Sequence, residues 1–108
     1  MYEFRFWFEH GGTCLWSKND AVRVKYGYAV DSRALPISRQ LMNELAALEV
    51  EYSSILDWAA PQNPLLWDEE KKHDFVRRAT SVCDTLVAEL EGDYLIRNDV
   101  VACVYFDE

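Results

Sequence analysis

With 108 residues, half of them apolar, the chain has the size of one domain and enough apolar mass to fill a core, which excludes a disordered polypeptide or one held together only by disulfides. Nineteen Asp/Glu against eleven Lys/Arg set a net charge of −8, a sign that excludes an extended cationic surface for phosphate backbones. The deficit is uneven. Residues 1–33 carry five Lys/Arg against four Asp/Glu, and residues 34–108 carry six against fifteen, so any acidic surface belongs to the second part.

Residues 2–9 alternate, with Tyr2, Phe4, Phe6 and Phe8 on one side and Glu3, Arg5, Trp7 and Glu9 on the other. That period predicts a half-buried strand, and the stretch has neither the basic start nor the unbroken apolar run of a leader. Gly11-Gly12 predicts a hairpin turn into a second strand at 13–18. Asn19-Asp20 marks another turn, and 21–30 reads as a third strand bent at Gly27. After Pro36, Ser38 is suited to cap a helix over 39–56, whose Leu41, Leu45, Leu48, Tyr52 and Ile55/Leu56 recur at steps of three and four, with Glu44, Glu49 and Glu51 off that stripe and facing water. Residues 57–67 form a connection stiffened by Pro61 and Pro64. Asp68 then caps a second helix over 68–91, with Phe75, Ala79, Val82, Cys83, Leu86, Val87 and Leu90 inward and Gly92 at its end. Residues 94–97 and 100–106 read as a closing hairpin across Asn98-Asp99, the last strand apolar enough to be covered on both faces. The order βββ-α-α-ββ predicts a single α+β domain over 1–108, a mainly antiparallel five-stranded sheet with both helices on one face.

Catalytic patterns are weak. His10 and Cys14 flank the glycine turn with no third group to orient a base, and a turn explains the same residues. His10 and His73 lie far apart and no ligand spacing pre-assembles a metal site, so no metal, cofactor or catalytic residue is expected. Cys14, Cys83 and Cys103 are odd in number and set among apolar neighbours, as buried reduced thiols are. Arg5, Arg23, Lys25 and Arg33 lie among aromatic residues, which alternation accounts for as an ordinary outward face.

The connection and the helix start after it carry the sharper signal. Interfaces concentrate binding energy in rigid aromatic and arginine side chains, and Trp58 and Trp67 bracket a stiff loop beside Asp57, Asp68, Glu69, Glu70 and Asp74. Two placements are open: the rings turn inward and seal the helix ends, or one is exposed as an anchor within an acidic rim. The second makes these seven residues the candidate partner-binding set.

The chain resembles the small acidic bacterial immunity proteins of contact-dependent growth inhibition and polymorphic toxin systems. The likeness lies in Tyr26-Gly27-Tyr28-Ala29-Val30-Asp31, Leu35-Pro36-Ile37-Ser38, Leu56-Asp57-Trp58 and Pro64-Leu65-Leu66-Trp67. It implies a non-enzymatic protein that binds and neutralises a cognate toxin, and the acidic surface adds the expectation that this toxin is a basic, nuclease-type domain. No direct contact with nucleic acid or membrane is expected, and the location is cytoplasmic. A generic regulatory or scaffolding domain and a small enzyme are the competing readings.

Overall fold

A computed structural model describes residues 1–9, 13–55, 67–90 and 92–104. Strand β1 (Tyr2–Phe6) is central in a three-stranded sheet, antiparallel to β2 (Leu15–Ser17) and parallel to β3 (Tyr94–Asn98). Alternation works as expected along β1: Phe4, Phe6 and, just beyond the strand, Phe8 are at most 1% exposed. Fully burying a side chain of this size contributes roughly 1.5–3 kcal/mol, so the central strand alone supplies a large part of the core.

The third predicted strand is a helix. Helix α1 (Asp20–Tyr26) starts where the Asn19 side chain accepts from the Val22 amide, and it stops at Gly27, whose φ of 85° suits glycine and whose N–H donates to the Arg23 carbonyl. Asp20 in its first turn and Arg23 and Lys25 in its last complement the helix dipole. A strand would put Val22 and Val24 on the same face. Instead Val22 is fully buried and Val24 is 87% exposed, the four-residue partner of Val22 on the inner side being Tyr26, whose ring lies 5.9 Å from Phe4.

Helices α2 (Arg39–Tyr52) and α3 (Glu69–Glu89) follow the two apolar stripes. Leu41, Leu45, Leu48 and Tyr52 are buried on α2, as are Phe75, Ala79, Cys83 and Leu86 on α3. Val82 is only partly buried and Val87 is 48% exposed. Ser38 caps α2 through the Leu41 amide, and Glu89 of α3 accepts from the Ser38 amide at 2.7 Å and its hydroxyl at 3.0 Å, tying the start of one helix to the end of the other. Gly92, with φ of 90°, turns the chain from α3 into β3.

The closing hairpin does not form. Asn98 Oδ1 accepts from the Val100 amide at 3.0 Å and starts a short helix, α4 (Val100–Val104). Val100, Cys103 and Val104 are buried while Val101 is 56% exposed, a three-and-four spacing that a short apolar run does not distinguish from a buried strand. Residues 105 and 106 lie outside the described part. With its second hairpin strand gone, β3 reaches the sheet after a helical crossover and therefore runs parallel to β1. The five-stranded, mainly antiparallel sheet with two helices is thus corrected, among the described residues, to a mixed three-stranded sheet, order β2-β1-β3, with four α-helices.

The described helices meet the sheet on its phenylalanine side. Phe75 of α3 packs on Phe8 at 5.2 Å, Tyr52 of α2 on Phe8 at 5.5 Å, and Thr80 of α3 receives a hydrogen bond from Asn98 at 3.3 Å. The Tyr52 hydroxyl donates to the Cys103 carbonyl at 2.8 Å and pins α4 against α2. No helix among the described residues is long and apolar enough to cross a membrane.

Candidate functional site

The start of α3 is built by its own capping chemistry. Asp68 accepts from the Lys71 amide at 2.8 Å, and Glu69 and Glu70 occupy the first turn, where carboxylates meet the positive end of the helix dipole. All three are exposed. Glu69 lies 3.7 Å from Lys72, the Lys72 side chain 12% exposed and that of Glu69 74%, a long contact whose acidic end stays in water and contributes little. Asp74 is engaged elsewhere: it accepts from Arg77 at 2.5 Å and from Arg78 Nε at 2.8 Å.

Trp67 turns inward. It is 8% exposed, its ring stands 4.9 Å from Phe75 and 6.3 Å from Tyr52, and its Nε1 donates to the Ser54 hydroxyl at 3.0 Å. The ring therefore closes the space between the end of α2 and the start of α3. Asp57 and Trp58, the other aromatic-acidic pair of the candidate set, lie outside the described residues.

The network that joins the two helices was not singled out from sequence. Glu51 of α2 accepts from both Nη atoms of Arg78, from Nη1 at 2.8 Å, and from Lys71 Nζ at 2.7 Å. Lys71 Nζ also stands 5.2 Å over the Trp67 ring. The Arg78 guanidinium first, and Lys71 after it, hold the Glu51 carboxyl down at about 2 against the opposing effect of burial. Arg78 is in turn raised above its ordinary range, chiefly by Glu51. Helical periodicity placed Glu51 off the apolar stripe and facing water, whereas it faces α3, because the cations of that helix stand opposite it. Its sequence signal was the i,i+3/i+4 set Lys71, Asp74 and Arg78 on the facing helix, legible once the two helices are known to be adjacent. Glu49 likewise faces protein, accepting from the Cys14 amide at 3.0 Å and the Thr13 hydroxyl at 3.3 Å.

The sign of the Glu51 shift fixes an acid response. A carboxyl depressed in the folded state stabilises it above the ordinary value of 4.5, and that contribution is lost as pH falls from there toward 2. Because 36% of the Arg78 side chain and 42% of Lys71 remain in water, the contribution is discounted to about 1–2 kcal/mol. Urea midpoints of the wild type and Glu51→Gln should differ most near neutral pH and converge near pH 2. An equal gap at both ends would contradict the ion pairing.

The thiols are enclosed. Cys14, Cys83 and Cys103 are at most 2% exposed. Burial raises Cys83 to about 11 and Cys103 to about 12, and raises Cys14 well above the ordinary thiol value, with the Glu49 charge adding to it. A buried thiol kept protonated is a packing group rather than a nucleophile.

The comparison with known families decides what kind of protein this is. A family model described as Serratia CdiI immunity protein-like matches residues 3–99. The chain belongs to that family. The match takes in β2, β3, all of β1 but Tyr2, and helices α1 to α3, so the CdiI-like unit includes both the acidic start of α3 and the ion network behind it. No curated protein matches the chain.

Proposed function

We propose that this protein is a contact-dependent growth-inhibition immunity protein, a non-enzymatic cytoplasmic module that binds and neutralises a cognate toxin with a basic, nuclease-type domain. Membership of the CdiI immunity protein-like family carries the reading. The contact surface is the exposed acidic start of α3, Asp68, Glu69 and Glu70, and Asp57 and Trp58, outside the described residues, stay in the set on their sequence signal alone. Trp67 and Asp74 belong to the support: Trp67 holds the helix start from inside, and Asp74 is neutralised by Arg77 and Arg78.

Charge on this surface acts mainly on encounter, since exposed carboxylates steer a cationic partner over several ångströms and are screened by salt. Reversing Asp68, Glu69 and Glu70 to Lys should slow association with the purified toxin domain by about 10–100-fold at low salt and flatten its dependence on ionic strength. A triple variant that associates as fast as the wild type, with the same salt dependence, would show that the toxin is met elsewhere. The substitutions fall on exposed positions, but Asp68 is also a cap, so an Asp68→Asn version with Glu69→Lys and Glu70→Lys keeps the helix start intact.

A further inference from the structure

Two lysines follow directly on the three acids that open α3: Asp68, Glu69 and Glu70, then Lys71 and Lys72. Residues three and four apart on a helix share a face, so Lys71 lies within reach of Asp68 and Lys72 within reach of Glu69. Paired locally, the two ammonium groups would cancel most of the acidic charge at the point where it is presented. The fold sends one of them elsewhere. Lys71 Nζ reaches across to Glu51 of α2 at 2.7 Å and stands 5.2 Å over the Trp67 ring, while Asp68 accepts from the Lys71 backbone amide instead. Lys72 stays with Glu69 at 3.7 Å, its side chain 12% exposed.

Glu51 is built for this task. Its side chain is 22% exposed, and it accepts from both Nη atoms of Arg78 as well as from Lys71, so the carboxylate is fixed between the helices. Asp74, three residues after Lys71, is occupied by Arg77 and Arg78. Without Glu51, the carboxylate that helical spacing leaves to Lys71 is Asp68, one turn earlier. The charge at the exposed start of α3 therefore depends on a residue of α2 that is not part of that surface.

We infer that Glu51 is a positioning residue for the toxin's encounter: by drawing Lys71 onto α2 it leaves Asp68 and Glu70 uncancelled at the surface a cationic partner meets. The inference rests on the toxin-binding reading above. Glu51 itself makes no contact with the toxin. Its action is electrostatic, since steering depends on where charges of both signs sit and not only on their sum.

Two measurements on the full-length protein test it, with urea midpoints to confirm folding. The first needs no partner: relaxation of the α3 amide signals by a cationic and by an anionic nitroxide reports the local potential. Glu51→Gln should lower the preference for the cationic probe at residues 68–71 about twofold, and by more than Glu44→Gln, which removes an equal charge about two turns earlier on the same helix. The second is the rate of association with the purified toxin domain at low salt. Glu51→Gln should slow it about two- to fivefold. Lys71→Gln should restore most of that loss in the Glu51→Gln background and leave the wild-type rate within about 1.5-fold. If only the sum of charges mattered, Glu51→Gln and Glu44→Gln would act alike and Lys71→Gln would accelerate association equally in both backgrounds. Either result overturns the inference. Glu51→Asp keeps the charge but draws the carboxylate back by one methylene, and serves where Glu51→Gln does not fold; it should slow association in the same direction, and an unchanged rate overturns the inference. A wild type whose association is indifferent to reversal of Asp68, Glu69 and Glu70 overturns the reading of that surface and this inference together. A wild type that responds to the reversal while Glu51 and Lys71 act additively overturns this inference alone.

Discussion

Phe75→Ala should destabilise the protein by about 3–5 kcal/mol, the cost of removing a fully enclosed aromatic side chain. Phe75 is 0% exposed and stands where three elements meet, with Phe8 at 5.2 Å, Trp67 at 4.9 Å and Tyr52 at 5.9 Å. No neighbour is positioned to fill the space cheaply, since Tyr52 is held by its hydrogen bond to Cys103 and Trp67 by its own to Ser54. Against a total stability of about 5–15 kcal/mol, such a loss removes a fifth or more of it, and at the low end of that range it leaves a large fraction unfolded. The urea midpoint measures it. A shift corresponding to less than about 1 kcal/mol would show that the junction between sheet, α2 and α3 is not the centre of the core.

Trp67→Ala should cost about 3 kcal/mol or more, and its effect should be on folding. An exposed interface anchor gives the opposite pattern: truncation leaves stability nearly unchanged and speeds dissociation from the partner. Trp67 is 8% exposed, donates its Nε1 proton to Ser54 and carries Lys71 over its ring. Its removal also loosens the start of α3, where the acidic residues are presented. Measured on the folded fraction, dissociation of the toxin domain should change by less than about threefold, while the urea midpoint falls clearly. A normal midpoint with fast dissociation would return Trp67 to the contact surface.

Much of the helical half was legible in the sequence because long amphipathic stripes leave little ambiguity. Leu41, Leu45, Leu48 and Tyr52 trace the buried side of α2, and Ser38 and Asp68 cap as their residue types suggest. The errors fall on short segments whose apolar residues fit two periods. In 21–30 the alternation of Val22, Arg23, Val24 and Lys25 imitated a strand, although Asn19 as a cap and Gly27 as a stop mark a seven-residue helix. In 100–106 a continuous apolar run fitted a covered strand as well as a buried turn of helix, and the hydrogen bond that Asn98 Oδ1 accepts from the Val100 amide marks the helix start.

The candidate site was read less completely, for a different reason. Composition located the acids, but which carboxylates are committed within the protein depends on which helices are neighbours. Glu51 and Asp74 are tied up by Lys71, Arg77 and Arg78, whereas Asp68, Glu69 and Glu70 face outward. Arg5 and Trp7 were visible as the outward side of the alternation along residues 2–9, whereas the pairing of Arg5 with Arg97 follows from the parallel placement of β3 beside β1.

The central claim, neutralisation of a cognate toxin, is tested most directly by titrating the purified protein into a nuclease assay of the purified cognate toxin domain. Inhibition complete at about one equivalent, relieved when salt is raised or the α3 acids are reversed, is the result this account predicts. Full nuclease activity in the presence of excess folded protein would contradict it.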